Sequence, residues 1–213
     1  MHRTRQAMPK TWILRKKGAK YIAANGNAKA LPVFTIMRDL LKIAKDRSEV
    51  KKIIKESEVK VNNKKIEDNK FLVRLNDIIE INKKHYVLML GENKKLGLNK
   101  IENNEKITLR VINKKLRKEN KVQINCNNGK NYLVNDKEAE KIKTGYSVII
   151  DLKSNKIVNI LPLKEGENVL IINGKHIGKK GIITRLDMEK KVAEIKSKHE
   201  KINVMFNYLM VEK

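Results

Sequence analysis

The hydrophobic positions in the first third of the chain change their spacing twice. One run places apolar residues three and four apart and predicts an amphipathic helix, with its stripe at Val33, Ile36, Met37, Leu40, Leu41 and Ala44. A second helix, for which Ser48 is the predicted N-cap, has the stripe Val50, Ile53 and Ile54. Residues 59–66 then alternate around Asn62-Asn63, which is typical of a β-hairpin whose two-residue turn needs positive φ. The predicted order is helix, turn, helix, hairpin.

The rest of the chain has the alternation and turn spacing of short strands. We predict strands over 77–81, 85–90, 95–101, 107–111, 122–126, 132–134, 145–152 and 157–161. The charged segments 115–121 and 136–143 are predicted connections, the second with room for one helical turn. From Gly166 onward, four or five short strands lie in fewer than fifty residues, a number that closes as a small barrel.

The first 32 residues have no hydrophobic period and contain eight basic residues without an acid. Such a segment is expected to be ordered by what it binds or packs on. Trp12 is interpreted as an anchor on a neighbouring domain, with base stacking as the alternative.

The predicted helices and strands together indicate an α+β fold that is mostly β. Its predicted parts are a basic arm over 1–32, a helical motif with following strands over 33–105, a central barrel-like β domain over 106–165 and a small SH3-like barrel over 166–213.

Charge indicates the partner. The 213 residues carry 49 Lys+Arg against 24 Asp+Glu, which gives a net charge of +25, and each of the four parts is positive. An excess spread over the whole chain favours a large polyanion such as nucleic acid, because each neutralised phosphate releases counterions. Coding bias towards Lys, Asn and Ile is the alternative, but it would not suppress Asp and Glu. With 40% hydrophobic residues the chain should fold, and without an apolar span or secretory signal we expect a soluble intracellular protein.

Candidate catalytic and metal-binding residues are few. Cys126 is the single cysteine and alternates with Val122 and Ile124, so it is predicted to lie in a core. His85 and His176 have no nucleophile or carboxylate at a recognisable spacing. We therefore predict no catalytic residue, no metal and no cofactor.

Two segments resemble known RNA-binding elements. The stretch from Arg38 to Ile66 resembles the αL motif of a bacterial small-subunit ribosomal protein, on Arg38-Asp39-Leu40-Leu41, Ser48 to Ile54, and the hairpin VKVNNKKI. It departs from that motif at Ser57, where a glycine is common, and at Asn63, which replaces the glycine of the usual Asn-Gly turn. The stretch GENVLIINGKHIGKKGIITRLD looks like a KOW motif.

Taken together with MPKTWIL in the arm, ITLRVINKK, GYSVIIDLKSNKIVNILPL and the terminal MFNYLMVEK, these motifs resemble the eukaryotic and archaeal small-subunit ribosomal protein number four, in a shortened form. The resemblance implies a structural constituent of the small ribosomal subunit. It would bind small-subunit rRNA beside neighbouring ribosomal proteins, without membrane or small-molecule substrate. The implied location is the cytoplasm, with assembly beginning in the nucleolus if the source is eukaryotic.

We predict rRNA contacts by residues of four regions, namely the arm, the helical motif, the hairpin tip and the barrel. In the helical motif, the short turn between the two helices places their cations near one exposed edge of the motif. The tip of the hairpin could reach an RNA groove. In the barrel, glycines let the backbone approach phosphates closely. The predicted set is Arg3, Arg5, Lys10, Lys16, Lys17, Arg38, Lys42, Lys45, Arg47, Lys51, Lys52, Lys55, Asn62, Lys64, Lys65, Lys175, Lys179, Lys180 and Arg185. The alternatives are an ordinary solvated helix face, a plain barrel turn, and turn chemistry alone at Asn62.

Two other functions remain possible on the sequence. An RNA-modifying enzyme could use an αL motif for docking, but residues 106–213 contain short strands and no GxGxxG cofactor loop. A KOW-type transcription-elongation factor would need a polymerase-binding domain and a less uniform charge. Sparse aromatic residues further indicate that phosphate and shape recognition dominate over base stacking.

Overall fold

The protein is described here by a computed structural model that covers residues 3–23, 28–56, 58–102, 105–118, 120–197 and 200–212. The chain folds as two compact units, Met1–Asn104 and Glu105–Lys213. Most of the regular structure is strand, which confirms the α+β, mostly β fold class. Ser57, one of the departures from the αL motif, lies outside the described residues.

The first unit contains three antiparallel sheets around two helical segments. Its sheets have the orders β1-β2, β3-β6 and β5-β4-β7-β8-β9. The elements in chain order are β1 (Arg3–Thr4), β2 (Tyr21–Ala23), β3 (Ala30–Pro32), α1 (Val33–Thr35) continued by a π-helix (Ile36–Leu40), α2 (Arg47–Glu56), β4 (Lys60–Val61), β5 (Lys64–Lys65), β6 (Leu72–Arg74), β7 (Ile78–Ile81), β8 (Lys84–Leu90) and β9 (Leu96–Ile101).

The first helix is shorter than its hydrophobic stripe predicts, and its second part is a π-helix instead of an α-helix. The backbone N–H of Leu41 donates to the carbonyl of Ile36 at 2.9 Å, five residues back, and Lys42 adopts a φ of 53°. A left-handed residue ends a right-handed helix, so the segment up to Ala44 turns towards α2 instead of continuing. The predicted stripe is buried at Val33, Ile36, Met37 and Ala44, whereas its members Leu40 and Leu41 are half-buried.

The second helix begins at a different cap from the one predicted. Asp46, not Ser48, accepts the backbone N–H of Glu49 on its Oδ1 at 2.8 Å. Glu49 returns a bond, since its Oε2 accepts the backbone N–H of Lys45 at 2.7 Å. The Asp46 carboxylate thus satisfies one free N–H of the first helical turn, while Glu49 binds the residue before the cap, one position earlier than in a capping box.

The hairpin is as predicted, with positive φ of 50° at Asn62 and 62° at Asn63. Asn62, however, is 5% exposed. Its Nδ2 donates to the Asp77 carboxylate at 2.8 Å, and its Oδ1 accepts the backbone N–H of Ile78 at 3.0 Å. This side chain therefore ties the hairpin to β7.

Part of the N-terminal arm belongs to the fold of the first unit. Trp12 is fully buried, which confirms its interpretation as an anchor. The Leu96 N–H donates to the Thr11 carbonyl at 2.7 Å, and Lys95 Nζ donates to the carbonyls of Lys10 and Trp12 at 2.6 and 3.0 Å. Residues 10–12 thus extend the edge at β9. Of the two ways in which the arm was expected to become ordered, this part shows packing on a neighbouring element.

The second unit contains two five-stranded antiparallel sheets, with the orders β12-β11-β10-β13-β14 and β18-β17-β16-β15-β19. Its elements are β10 (Lys106–Leu116), β11 (Lys121–Cys126), β12 (Asn131–Asn135), α3 (Asp136–Glu140), β13 (Ser147–Asp151), β14 (Ile157–Leu161), β15 (Asn168–Ile171), β16 (Lys180–Asp187), β17 (Val192–Lys196), β18 (Lys201–Met205), a 3-10 turn (Phe206–Tyr208) and β19 (Leu209–Val211).

β10 is longer than predicted and organises the central sheet. Its first half pairs with β13 and its second half with β11, and the register shifts between Val111 and Asn113. An extra residue in one strand bends it, so a single strand can serve two partners. Residues 115 and 116, predicted as a connection, therefore belong to the strand.

The terminal sheet curls around its own core. Buried side chains come from all of its strands: Val169, Ile171, Ile183, Ala193, Ile195, Ile202, Val204, Leu209 and Val211. Within the same unit, the N–H of Val211 donates to the Ser147 hydroxyl at 2.9 Å, and Arg110 Nη2 reaches the Phe206 carbonyl at 3.4 Å. Arg110 is buried, and this desolvation lowers its pKa.

We predict that Lys95→Met loosens residues 10–12. It removes an ammonium group that donates to two carbonyls, a loss worth roughly 1–3 kcal/mol of local stability. Hydrogen exchange of the Leu96 amide should accelerate about tenfold or more. Lys94→Met, an exposed neighbour, is the control and should leave exchange unchanged. Ready quenching of Trp12 fluorescence by acrylamide in the unmodified protein would contradict this docking.

We predict that Gly181→Ala destabilises the terminal barrel. A Cβ at this position would lie 2.5 Å from the Lys196 carbonyl oxygen and 2.6 Å from Ile195 Cγ2. Relieving such overlap costs about 1–3 kcal/mol, measurable in urea unfolding. Gly97→Ala is the matched control, because a Cβ there meets nothing within 4 Å. Equal stability of the two variants would refute the close approach.

Candidate nucleic-acid interface

In the first unit, exposed cations lie in the segment after the π-helix and along α2. Lys42, Lys45 and Arg47 lie between the π-helix and the first turn of α2, and all are exposed. Lys51, Lys52 and Lys55 are exposed on α2 itself, where Lys52 makes only a 3.8 Å contact with Glu56. The predicted cations of this motif are thus largely available to solvent and to a polyanion.

One aromatic ring positions two of the arginines. Phe34 is 5% exposed, and the guanidinium carbons of Arg38 and Arg47 lie 5.4 and 5.7 Å from its ring centroid. Arg38 also forms an ion pair with Asp39 at 2.8 Å. Cation–π contacts hold the two side chains in place, while Asp39 neutralises part of the charge of Arg38.

The hairpin tip differs from its prediction at one position. Lys64 and Lys65 are exposed and remain candidates for contact with an RNA groove. Asn62 was predicted to reach such a groove, and this is wrong. Its amide is buried and both of its polar groups are bonded to Asp77 and Ile78. These bonds favour a structural role, in which Asn62 forms the turn and joins the hairpin to β7.

The arm divides into structural and available cations. Arg5 donates from Nε to the Ala19 carbonyl at 2.8 Å and from Nη1 to the Arg15 carbonyl, so it holds the loop at 15–19 together. Arg3 donates to the Ala7 carbonyl at 2.9 Å. Lys10, Lys16 and Lys17 are exposed. The prediction that Arg5 binds phosphate is therefore not supported, because its guanidinium group is bonded to backbone carbonyls of the same arm.

Ion pairs reduce the charge of the terminal barrel segment, which was predicted to resemble a KOW motif. Lys179 pairs with Glu200 and lowers the pKa of that carboxyl group by donating a hydrogen bond to it. Lys180 pairs with Glu212 at 2.5 Å. Lys175 is exposed in the loop, whereas Arg185 is exposed on β16 beside Asp187 and Glu194. The four predicted residues therefore do not form one uniform basic surface.

A polar cleft in the first unit lies beside the predicted cations. We call it the α2 cleft. It has a volume of about 330 Å³ and is lined by Arg47, Ser48, Lys51, Asp68, Asn69 and Lys70. Arg47 and Lys51 were predicted as site residues, but Asn69 and Lys70 were not. They lie in an irregular loop without periodicity, and only the folded chain brings this loop to α2.

Other candidate sites are weaker. Burial raises the pKa of the Cys126 thiol to about 12, as expected of the core position predicted for it. Over the described ranges, no group of three or more His, Cys, Asp and Glu residues is arranged to hold a metal ion. No helix in those ranges is both long and apolar enough to cross a membrane.

Comparison with known proteins now identifies the family. The model of ribosomal family S4e matches residues 82–157, and the S4 domain matches residues 39–79. The small ribosomal subunit protein eS4 of Pyrobaculum aerophilum is 32% identical over 99% of this chain and 94% of the relative. The corresponding protein of Methanococcus aeolicus is 31% identical over 83% of this chain and 78% of the relative. The chain belongs to the S4e family of ribosomal proteins.

A solved structure shows the same fold. The crystal structure of the 30S ribosomal protein S4e from Thermoplasma acidophilum matches with a TM-score of 0.73 at 24% identity, over 86% of this chain and 94% of that one. The S4 match spans the second helix and the hairpin, which are the segments that carry the αL resemblance. The resemblance to the eukaryotic and archaeal family is thereby confirmed.

We predict that Asn62→Ala destabilises this S4e protein more than Asn63→Ala does. Both positions have positive φ, so both variants lose the same turn preference. Only Asn62→Ala also removes the bonds to Asp77 and Ile78, which adds roughly 1.5–3 kcal/mol. Urea unfolding measures the difference. Equal unfolding midpoints would show that the buried bonds contribute nothing.

Proposed function

We propose that this chain is a non-catalytic structural constituent of the small ribosomal subunit, which binds and stabilises folded small-subunit rRNA. The observation that carries the proposal is the run of exposed cations from Lys42 to Lys55, after the π-helix and along α2, inside the segment that matches the S4 domain. Its relatives are named small ribosomal subunit protein eS4, which supports the same role.

Recognition proceeds through phosphates and the shape of helical RNA. Aromatic residues make up 4% of the chain, and Trp12 is buried in the first unit. Among the large hydrophobic residues of the described ranges, the exposed aromatics are Tyr21 and Phe71. Base stacking requires exposed rings, whereas lysine and arginine contact phosphate oxygens of any sequence. The basic surface therefore favours folded RNA over splayed single strands.

The proposed partners are small-subunit rRNA and neighbouring small-subunit proteins, in cytoplasmic ribosomes. The candidate contacts that remain after Asn62 is removed and Arg5 is assigned to loop structure fall mainly on α2, the hairpin tip and the exposed lysines of the arm. The KOW segment contributes Lys175 and Arg185 most directly. The four-part division of the chain at residues 32, 105 and 165 stays part of this proposal.

Sedimentation tests the proposal. The full chain, expressed with a small tag in a cell that contains its ribosomes, is fractionated on sucrose gradients after a wash at roughly 0.5 M salt, where weak phosphate binders dissociate. We expect stoichiometric retention on the small subunit. Recovery only in the top fractions would overturn the proposal and favour an RNA-modifying enzyme or an elongation factor.

A further inference from the structure

We infer that the α2 cleft is a binding site for a single phosphodiester group of folded RNA. This inference rests on the proposed function, because it names one subsite of the rRNA-binding surface. It adds Ser48, Asn69 and Lys70 to the residues that contact RNA. The site joins the first turn of α2 to the loop between β5 and β6.

The charge of the cleft suits an anion. Arg47, Lys51 and Lys70 line it, and within the described ranges none of them forms an ion pair. Asp68 is the acid in the lining, and its Oδ1 accepts the Lys70 backbone N–H at 2.9 Å, so this carboxylate shapes the loop. Three cations against one carboxylate leave an excess of positive charge.

Asn69 provides the observation that points to a ligand. It is 3% exposed, and its Nδ2 has no hydrogen-bond partner among the described residues. Its Oδ1 accepts from Arg47 Nη2 at 3.4 Å, and its backbone carbonyl accepts the Phe34 N–H at 3.1 Å. A buried amide donor without a partner is costly unless something else accepts its hydrogen. A phosphate oxygen in the cleft would do so.

One of the cationic side chains, that of Arg47, is held in advance of binding. Arg47 is fixed between the Phe34 ring and Asn69, and Lys51 lies one helical turn further along the same side of α2. The N-terminus of α2 is already capped by Asp46, so the helix dipole is not the receptor. Recognition comes from side-chain donors, whose fixed positions reduce the entropy lost on binding.

The lining also selects the class of ligand. It contains guanidinium, ammonium, amide and hydroxyl donors but no aromatic ring on which a base could stack. Donors of this kind match the oxygens of a phosphate, and a volume of about 330 Å³ leaves space for the group with its bridging waters. Because the cleft lies among the exposed cations of α2, an internal phosphodiester of the bound RNA is the occupant we assign.

Two substitutions test the site in the full chain. Asn69→Asp preserves the shape and the Oδ1 acceptor for Arg47, but replaces the free donor with a charged acceptor. Asn82→Asp is the matched control, because it makes the same chemical change at an exposed turn residue with a φ of 51°, which Asp tolerates. Lys70→Gln is a second variant at an exposed position, where misfolding is not expected.

Each protein is bound to small-subunit rRNA transcribed in vitro, at roughly 0.15 M salt, and phosphate-ethylation interference is mapped. We expect Asn69→Asp to weaken binding about tenfold and Lys70→Gln about threefold or more, with Asn82→Asp within about twofold of the unmodified protein. One internal phosphate whose ethylation blocks the unmodified protein should lose its effect with both cleft variants.

The possible failures are distinguishable. If the unmodified protein does not bind the rRNA, the proposed function fails and the cleft inference with it. If it binds, but both cleft variants retain its affinity and its full interference pattern, the cleft is not a phosphate site while the proposed function stands. Unchanged thermal unfolding of Lys70→Gln ensures that a loss of binding reports the site and not the fold.

Discussion

Mutual repulsion among 49 basic side chains is the constraint on which the rest of this structure depends. Burying a charge is costly, so a chain with a net charge of +25 keeps its cations at the surface while its interior stays apolar. The cores are accordingly built from aliphatic side chains of short strands. Arg110 is the buried cation among the described residues, and burial lowers its pKa.

The basic residues consequently have two different uses. Some serve the fold: Arg5 holds a loop through carbonyls, Lys95 fastens the arm, and Lys179 and Lys180 are paired with acids. Others stay unpaired on the helical surface of the first unit. A cation that is already bonded to a carbonyl or a carboxylate gains less from a phosphate, so the unpaired cations define the candidate interface more sharply than total charge does.

Sequence patterns predicted the presence of helices and strands better than they predicted where these elements end or what individual side chains contact. The hairpin at Asn62-Asn63 and the longer strands of both units follow from alternation and turn residues, which are local properties, whereas the short strands of the β3-β6 sheet were not predicted. The first helix ended early because Lys42 adopts positive φ, and the cap moved to Asp46 because a carboxylate competed successfully with Ser48. Asn62 was misjudged because its partner Asp77 lies fifteen residues away.

By itself, the sequence determined the charge excess, the order of helices and strands, the buried stripes and the family resemblance, since these depend on residue type and spacing along the chain. Tertiary structure decided which cations are available and where they meet. Asn69 and Lys70 reach the first turn of α2 only after the loop folds back, and Arg47 is positioned only once Phe34 is buried beneath it. Contacts between residues distant in sequence leave no periodic signal, so the cleft could be found only in the folded chain.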